Sequence, residues 1–546
     1  MRFFVPCSRF HAIVLAIARF YHSVVPKGKA QESACRPFSM SEVCSFCCGR
    51  EICSILHIFA KKMTEFAYFS LAFYAMIGIQ GAQTPYVRRR EKENDMSKLT
   101  VNATATRGQM KPMHAVNNGP VFKFTEDQRI TNIDAFREAG IPYARTHDAA
   151  FYSGYGGEHC VDILAVFPNF DADPEDPASY DFTLTDEYLK VMLYAGVEPF
   201  YRLGSKIEHW PKKYGTLVPK DFHKWAVIAE HIIAHYTEGF ADGFHHKIGY
   251  WEIWNEPDLN EYSDPVDKKT WSGTRAQFFE FFDVAAKHLK ARFPHLKIGG
   301  PAAASTGTDW TNSFLAYLKE HGTPLDFFSW HIYASTPESV LRAERETRAM
   351  MDRHGFDCAE SILNEWNYVK GWTGDEWVYS LRAEKGLKGS AFVAAVIARS
   401  QYEPLDLLMY YDARPCRMNG MFSTDIISDR LKGYWPFSFF GELYRLGTAV
   451  EVTYDDPAVY AVAARSEDAF SLMLTYYADK DAAEEKRVEI SLHDLPTGGV
   501  AEVTYRRLDA AHDGDIVLKQ TVSGKDATLY ADLDLFTTLL ISVKKI

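Results

Sequence analysis

Tyr250-Trp251-Glu252-Ile253-Trp254-Asn255-Glu256-Pro257-Asp258 reads as a short apolar run that stops abruptly in polar residues, and Ile362-Leu363-Asn364-Glu365-Trp366-Asn367 repeats the device. In both places a strand-like segment delivers an Asn-Glu pair at its C-terminal end. Outward from these two, further apolar runs lie at 113–116, 141–145, 197–201, 296–298, 327–331 and 407–410. Polar loops and helical stretches separate them. The stretch 275–292, with FFEFFDVAAKHL, spaces its apolar residues as an amphipathic helix does, and 221–235 reads the same way. Regular alternation of strand and helix predicts a parallel sheet. Eight such runs close more economically as a (β/α)8 TIM barrel than as an open sheet.

The last hundred residues change character. VYAVAAR, FSLMLTYYA, RVEISLHDL, AEVTYRRLD, DIVLKQTV and TLLISVKKI are short runs separated by polar turns, the pattern of a β-sandwich. The expected organisation is an N-terminal extension over 1–95, a barrel over 96–445 and a sandwich over 446–546. The sandwich carries no nucleophile–base pair of its own and is expected to be structural.

Composition narrows the partners. The formal net charge of −12 leaves no basic stripe to neutralise phosphates, which excludes nucleic acid and favours a neutral substrate. Cys7, Cys35, Cys44, Cys47, Cys48 and Cys53 crowd the first tenth of the chain, so the globular part has no disulfide framework. No second Cys or His pair follows Cys44-x-x-Cys47-Cys48 at zinc-ligand spacing, and no metal or cofactor is expected. Residues 1–95 lack periodicity and end in the charged run 88–95, just before Met96. The expectation is that translation begins at Met96 and the protein is cytoplasmic. The alternative is membrane anchoring or secretion through the uncharged segment 66–79, which is short for a bilayer span.

In a TIM barrel, chemistry sits where the strands end, and strands four and seven face each other across the mouth. Glu256 and Glu365 occupy those two ends. Cleaving a glycosidic bond requires one carboxylic acid to protonate the leaving oxygen and a second carboxylate to attack the anomeric carbon or to activate water. A separation of about 5 Å between the two implies retention through a covalent glycosyl-enzyme. A glutamate alone is most often a surface ion-pair residue, but two that end apolar strands, each preceded by Asn, fit catalysis better.

Trp254-Asn255-Glu256-Pro257 after strand four with Asn364-Glu365-Trp366 after strand seven resembles the clan of retaining glycosidases that carry their carboxylates on those strands. YWEIWNEPDL, followed by KIGGPA and DFFSWHIYA, is most similar to glycoside hydrolase family 39, the family of β-xylosidases and α-L-iduronidases, from residue 113 through the trailing sandwich. The resemblance implies hydrolysis of terminal glycosides, β-xylosides first. Glu256 is then the acid/base, Glu365 the nucleophile, and Asn255 the residue that hydrogen-bonds the sugar 2-hydroxyl. The sequence departs from the family in its Asn-Glu-Trp nucleophile motif, where Thr-Glu is commoner.

Supporting residues follow. His331 and Tyr333 end strand six, where either can hydrogen-bond the nucleophile and keep it ionised; the alternative is a core His and a packing Tyr. Arg145 and His147 end strand two, where the clan places an Arg on the nucleophile; the alternative is a salt bridge in the barrel wall. Trp254, Trp366, Trp372 and Trp377 are candidates for a sugar-stacking floor, Trp366 foremost. Arg414, after strand eight, keeps an iduronate carboxylate among the substrates. A non-catalytic carbohydrate-binding barrel and a transglycosylase are the other readings; the paired glutamates speak against the first.

Overall fold

The computed structural model describes residues 96–546 apart from 125–128, 149–158 and 265. The apolar segment 66–79 and the Cys44-x-x-Cys47-Cys48 cluster lie outside the described residues. Among the described residues no helix is long and apolar enough to cross a membrane.

β1 (Met96–Gln109) precedes the barrel. The barrel then takes β2 (Ala115–Asn117), β5 (Tyr143–Arg145), β6 (Glu198–Leu203), β7 (Tyr250–Ile253), β8 (Lys297–Ala303), β9 (Phe327–Ala334), β10 (Glu360–Tyr368) and β11 (Leu407–Tyr410). A hairpin of β3 (Phe122–Phe124) and β4 (Arg129–Thr131) sits between its first two strands. All barrel neighbours are parallel, and β11 returns to β2 through Met409 opposite Ala115, closing the ring. Each of the eight expected runs is one of these strands. The helix after β7 spans Arg275–Arg292, and Thr274 starts it by accepting from the Gln277 N–H while the Gln277 side chain caps Thr274 in return.

Two layers fill the barrel. Ala115, Phe200, Phe327, Ile362, Leu407 and Met409 form an apolar plug, and burying each of its large side chains stabilises the fold by about 1.5–3 kcal/mol. Two residues beyond Ala115 and Phe200, and beyond Tyr143 and Tyr250 that pack against the plug, come Asn117, Arg202, Arg145 and Glu252 on the same side by the period of a strand, all fully buried. The plug therefore carries a polar layer directly above it.

The second region is a nine-stranded sheet in the order β17-β16-β19-β14-β13-β12-β1-β15-β18. Its strands are β12 (Thr448–Tyr454), β13 (Val459–Arg465), β14 (Ala469–Tyr476), β15 (Glu485–His493), β16 (Val500–Leu508), β17 (Asp513–Ser523), β18 (Ala527–Asp534) and β19 (Thr538–Lys545). The sheet folds over one apolar core, so that β14 and β18 touch although five places apart in the order. The expected boundary needs one correction. β1, placed with the barrel by its position in the sequence, lies inside this sheet, antiparallel to β12 and parallel to β15. β13 and β14 are apolar on both faces because both are covered: Ala461, Ala463 and Leu472 face the sheet's own core, while Tyr460, Val462 and Met473 pack with the barrel's helical layer.

Candidate active site

Glu365 owes its position to a bulge. Leu363 pairs with Trp330 and Glu365 with His331, so Asn364 is an extra residue in β10. Ile362 points into the plug and Leu363 outward into the helical layer. The bulge then lets Asn364 and Glu365 both enter the barrel, where strict alternation would send one of them out. Trp366 consequently points outward. It is fully buried against Phe392 and Tyr410, behind the strand, and so it cannot be the stacking floor the sequence suggests.

Glu256 is set by the turn that ends β7. Trp254 and Glu256 both adopt left-handed backbone, with φ of 75° and 48°. Such conformations cost about 1–3 kcal/mol each and persist where surroundings enforce them. Here the Trp254 N–H donates to the Leu203 carbonyl and the Glu256 N–H to the Ala302 carbonyl, both at 2.9 Å, so the ends of β6 and β8 clamp the turn. Gly204 makes room for it, because a Cβ there would meet the Trp254 Cα at 3.2 Å. The Trp254 indole lies among Trp225, Trp271 and Phe281, on the helix side, and its Nε1–H donates to the Thr270 carbonyl.

Arg145, fully buried, ties the floor together. Its Nε donates to Glu252 Oε2 at 2.6 Å, Nη1 to Glu365 Oε1 at 2.7 Å and to Asn117 Oδ1 at 3.1 Å, and Nη2 to Asn255 Oδ1 at 2.6 Å. The Tyr333 hydroxyl donates to the other Glu365 oxygen at 2.9 Å, and His147 Nε2 stands 3.5 Å from Oε1. His331 is shared: Nδ1 lies 2.9 Å from Glu256 Oε1 and 3.6 Å from Glu365 Oε2. It thus serves the strand-four glutamate more closely than the strand-seven glutamate for which the sequence suggested it.

The electrostatics follow. Burial alone would push the Glu365 carboxyl up, but His331, His147 and Arg145, with the Tyr333 hydroxyl, outweigh it and hold the group at about 2. His331 moves the opposite way. Burial favours the neutral ring, yet Glu365 and Glu256 together raise it above the ordinary histidine value. Two residues beyond Glu256, burial pushes Asp258 up to about 7; its oxygens accept the backbone N–H groups of Ala304 and Ser305, joining the loops after β7 and β8.

One donor atom each from Glu256, His331 and Glu365 lies within 4.8 Å of the others, the spacing of a possible cation site. The donors already serve one another, and both Glu365 oxygens are taken by Arg145 and Tyr333. A cation there would stand against a buried guanidinium.

Two residues were not singled out from sequence: Glu252 and Asn364 belong to the polar floor, and Glu252 set between Trp251 and Ile253, which face the helical layer, was the available signal in β7. At the rim, Trp372 is 55% exposed, stacks on Trp377 with centroids 5.3 Å apart, and meets the Tyr333 ring edge-on at 5.0 Å. Arg414 is held between Asp148 at 3.3 Å and Asp412 at 3.8 Å.

Known proteins show which family the chain is similar to. The family model described as "Glycosyl hydrolases family 39" matches residues 90–418. The chain is 25% identical over 236 residues to a beta-xylosidase of Geobacillus stearothermophilus, covering 38% of this chain and 44% of that one. It is 26% identical over 297 residues to a beta-xylosidase of Caldicellulosiruptor saccharolyticus, covering 50% and 55%. The chain thus spans about half the length of these curated relatives. Among solved structures, a glucosidase from Croceicoccus marinus superposes with a TM-score of 0.67 at 24% identity, over 83% of this chain and 99% of that one. A monomeric beta-xylosidase from Caulobacter crescentus CB15 gives 0.61 at 17% identity, over 82% and 99%, and both show the same fold. With more than half its length matched by that family model, the chain belongs to glycosyl hydrolase family 39.

Proposed function

We propose that the protein is a retaining glycosidase that removes terminal sugars, β-xylosides first, by double displacement. One observation carries the reading: an oxygen of Glu256 and an oxygen of Glu365 approach within 4.8 Å across the barrel mouth. Carboxylates about 5–5.5 Å apart leave no room for a water between nucleophile and sugar, whereas inverting enzymes hold theirs about 6.5–9.5 Å apart.

The roles divide by environment. Glu365, held ionised by Arg145 and Tyr333, attacks the anomeric carbon, and the bond to the leaving oxygen breaks as Glu256 delivers its proton there. Glu256 Oε1 is engaged by His331, and Oε2, with no partner among the described residues, is the oxygen placed to carry that proton. In the second step Glu256 takes a proton from water, the water oxygen attacks the anomeric carbon, and Glu365 departs as carboxylate. Asn255 Nδ2 is buried and has no partner among the described residues, which suits it to the sugar 2-hydroxyl. Trp372 takes the stacking role assigned to Trp366. The xyloside preference rests on the two xylosidase relatives, and the engagement of Arg414 by two aspartates removes the cation an iduronate carboxylate would need.

A panel of aryl glycosides, followed by NMR of the first-formed anomer, tests the reading. The expected result is release from the β-xyloside with β-xylose appearing first. Initial α-xylose, or no release from any member, overturns it.

A further inference from the structure

We propose that Glu252 is a positioning residue whose negative charge, spent on Arg145, sets both the aim of the nucleophile and the working pH of the site. The inference rests on the reading of Glu365 as nucleophile and Glu256 as acid/base.

Glu252 is a carboxylate with no exposed surface. Such a group is tolerated only when paired and hydrogen-bonded. It is satisfied twice: Oε2 accepts from Arg145 Nε at 2.6 Å and Oε1 accepts from Asn364 Nδ2 at 2.5 Å. These contacts reach the nucleophile from two sides. Through Arg145 they fix the tilt of the guanidinium, so that Nη1 meets Glu365 while Nη2 meets Asn255. Through Asn364 they hold the extra residue of the bulge, whose carbonyl is fastened from below by Asn117 Nδ2 at 2.6 Å. Without that tether the bulge loses the side-chain anchor that helps keep Glu365 directed inward.

Charge matters as much as aim. Arg145 is one cation between two carboxylates, Glu252 and Glu365. At Glu365 the negative potential of Glu252 offsets part of the positive potential of Arg145. Were Glu252 neutral, Glu365 would stand in a more positive potential, making it a poorer nucleophile. Glu256 faces His331, Glu365 and Asp258, and against those unchanged neighbours the lost anion would make it easier for Glu256 to give up its proton.

Glu252→Gln and Glu252→Asp separate the two roles. Glu252→Gln keeps the size and removes the charge, leaving Arg145 paired with Glu365, so no buried cation is orphaned. It should lower kcat by up to about 100-fold, the scale of a 1 Å misplacement, and move the alkaline limb of the kcat/KM profile to lower pH. Glu252→Asp keeps the charge and shortens the reach; kcat should fall while the alkaline limb stays in place. If Glu252→Gln does not fold, Asn364→Ala removes the other arm and should lower kcat with KM little changed. A folded Glu252→Gln protein with wild-type kcat and an unmoved limb overturns the proposal, as does an Asn364→Ala protein of wild-type kcat. A 2-fluoro glycosyl inhibitor, located by peptide mass spectrometry in the wild-type enzyme, reports separately on the underlying reading. A label elsewhere than Glu365 refutes that reading whatever the Glu252 variants do.

Discussion

Replacing Tyr333 by Phe removes one atom from the site and predicts an asymmetric kinetic effect. The hydroxyl donates to Glu365 Oε2 at 2.9 Å in a part-buried contact, and hydrogen bonds to charged groups contribute about 1.5–3 kcal/mol. In the first step Glu365 loses its charge to the sugar, so the hydrogen bond weakens as the transition state forms. In the second step the carboxylate is the leaving group and the bond strengthens. Loss of the hydroxyl should therefore fall mainly on deglycosylation, slowing it by roughly 10- to 150-fold. Because kcat/KM reports only the first step, it should change much less, and KM should drop as the glycosyl-enzyme accumulates. Stopped-flow release from an aryl β-xyloside with a good leaving group should show a burst equal to the enzyme concentration, then slow turnover. The Phe ring keeps the edge contact with Trp372, so the fold should be unaffected. Equal losses in kcat and kcat/KM without a burst would refute the reasoning, because the hydroxyl would then act on positioning rather than on the departing carboxylate.

Two further outcomes follow. Trp372→Ala should raise KM for xylosides by roughly 2- to 12-fold, the worth of about 0.5–1.5 kcal/mol of aromatic contact, with the melting temperature unchanged; a lowered melting temperature with unchanged KM would make it a packing residue. Glu384→Gln should stabilise the protein in a pH-dependent way, since both Glu384 oxygens are buried without a partner among the described residues and burial pushes the carboxyl up to about 8. The folded value lies above the unfolded one of 4.5, so the folded state holds the extra proton and stability falls as pH rises from 4.5 towards 8. Denaturant melts should place the variant about 3 kcal/mol above wild type at pH 7 and level with it near pH 4.5; a gap that does not change with pH would contradict this.

What could be read from the sequence divides along physical lines. Barrel strands announce themselves as compact apolar runs because both their faces are covered, and the two ending in Asn-Glu stand out because polar residues break those runs. β1 was hidden for the opposite reasons. VNATATRG alternates small and polar residues, and its partners β12 and β15 come about 350 and about 390 residues later, beyond any local pattern. Trp366 was misplaced because the Asn364 bulge cannot be seen in the letters, and one extra residue reverses which side chains face inward. Glu252 lay in plain view but without meaning, since a buried carboxylate is explained only by its partner, and Arg145 stands 107 residues away.

Azide rescue of the two alanine variants tests the division of labour between Glu256 and Glu365 most directly. Glu365→Ala should lose turnover on every substrate, and azide should restore it by direct displacement, giving the inverted α-glycosyl azide. Glu256→Ala should keep its first step on activated aryl glycosides, which depart without protonation, and azide should intercept its covalent intermediate to give the retained β-glycosyl azide. The anomeric configuration of each product, read by NMR, decides the matter. Retained azide from the Glu365 variant and inverted azide from the Glu256 variant would exchange the two roles, and undiminished turnover in both would place the chemistry elsewhere.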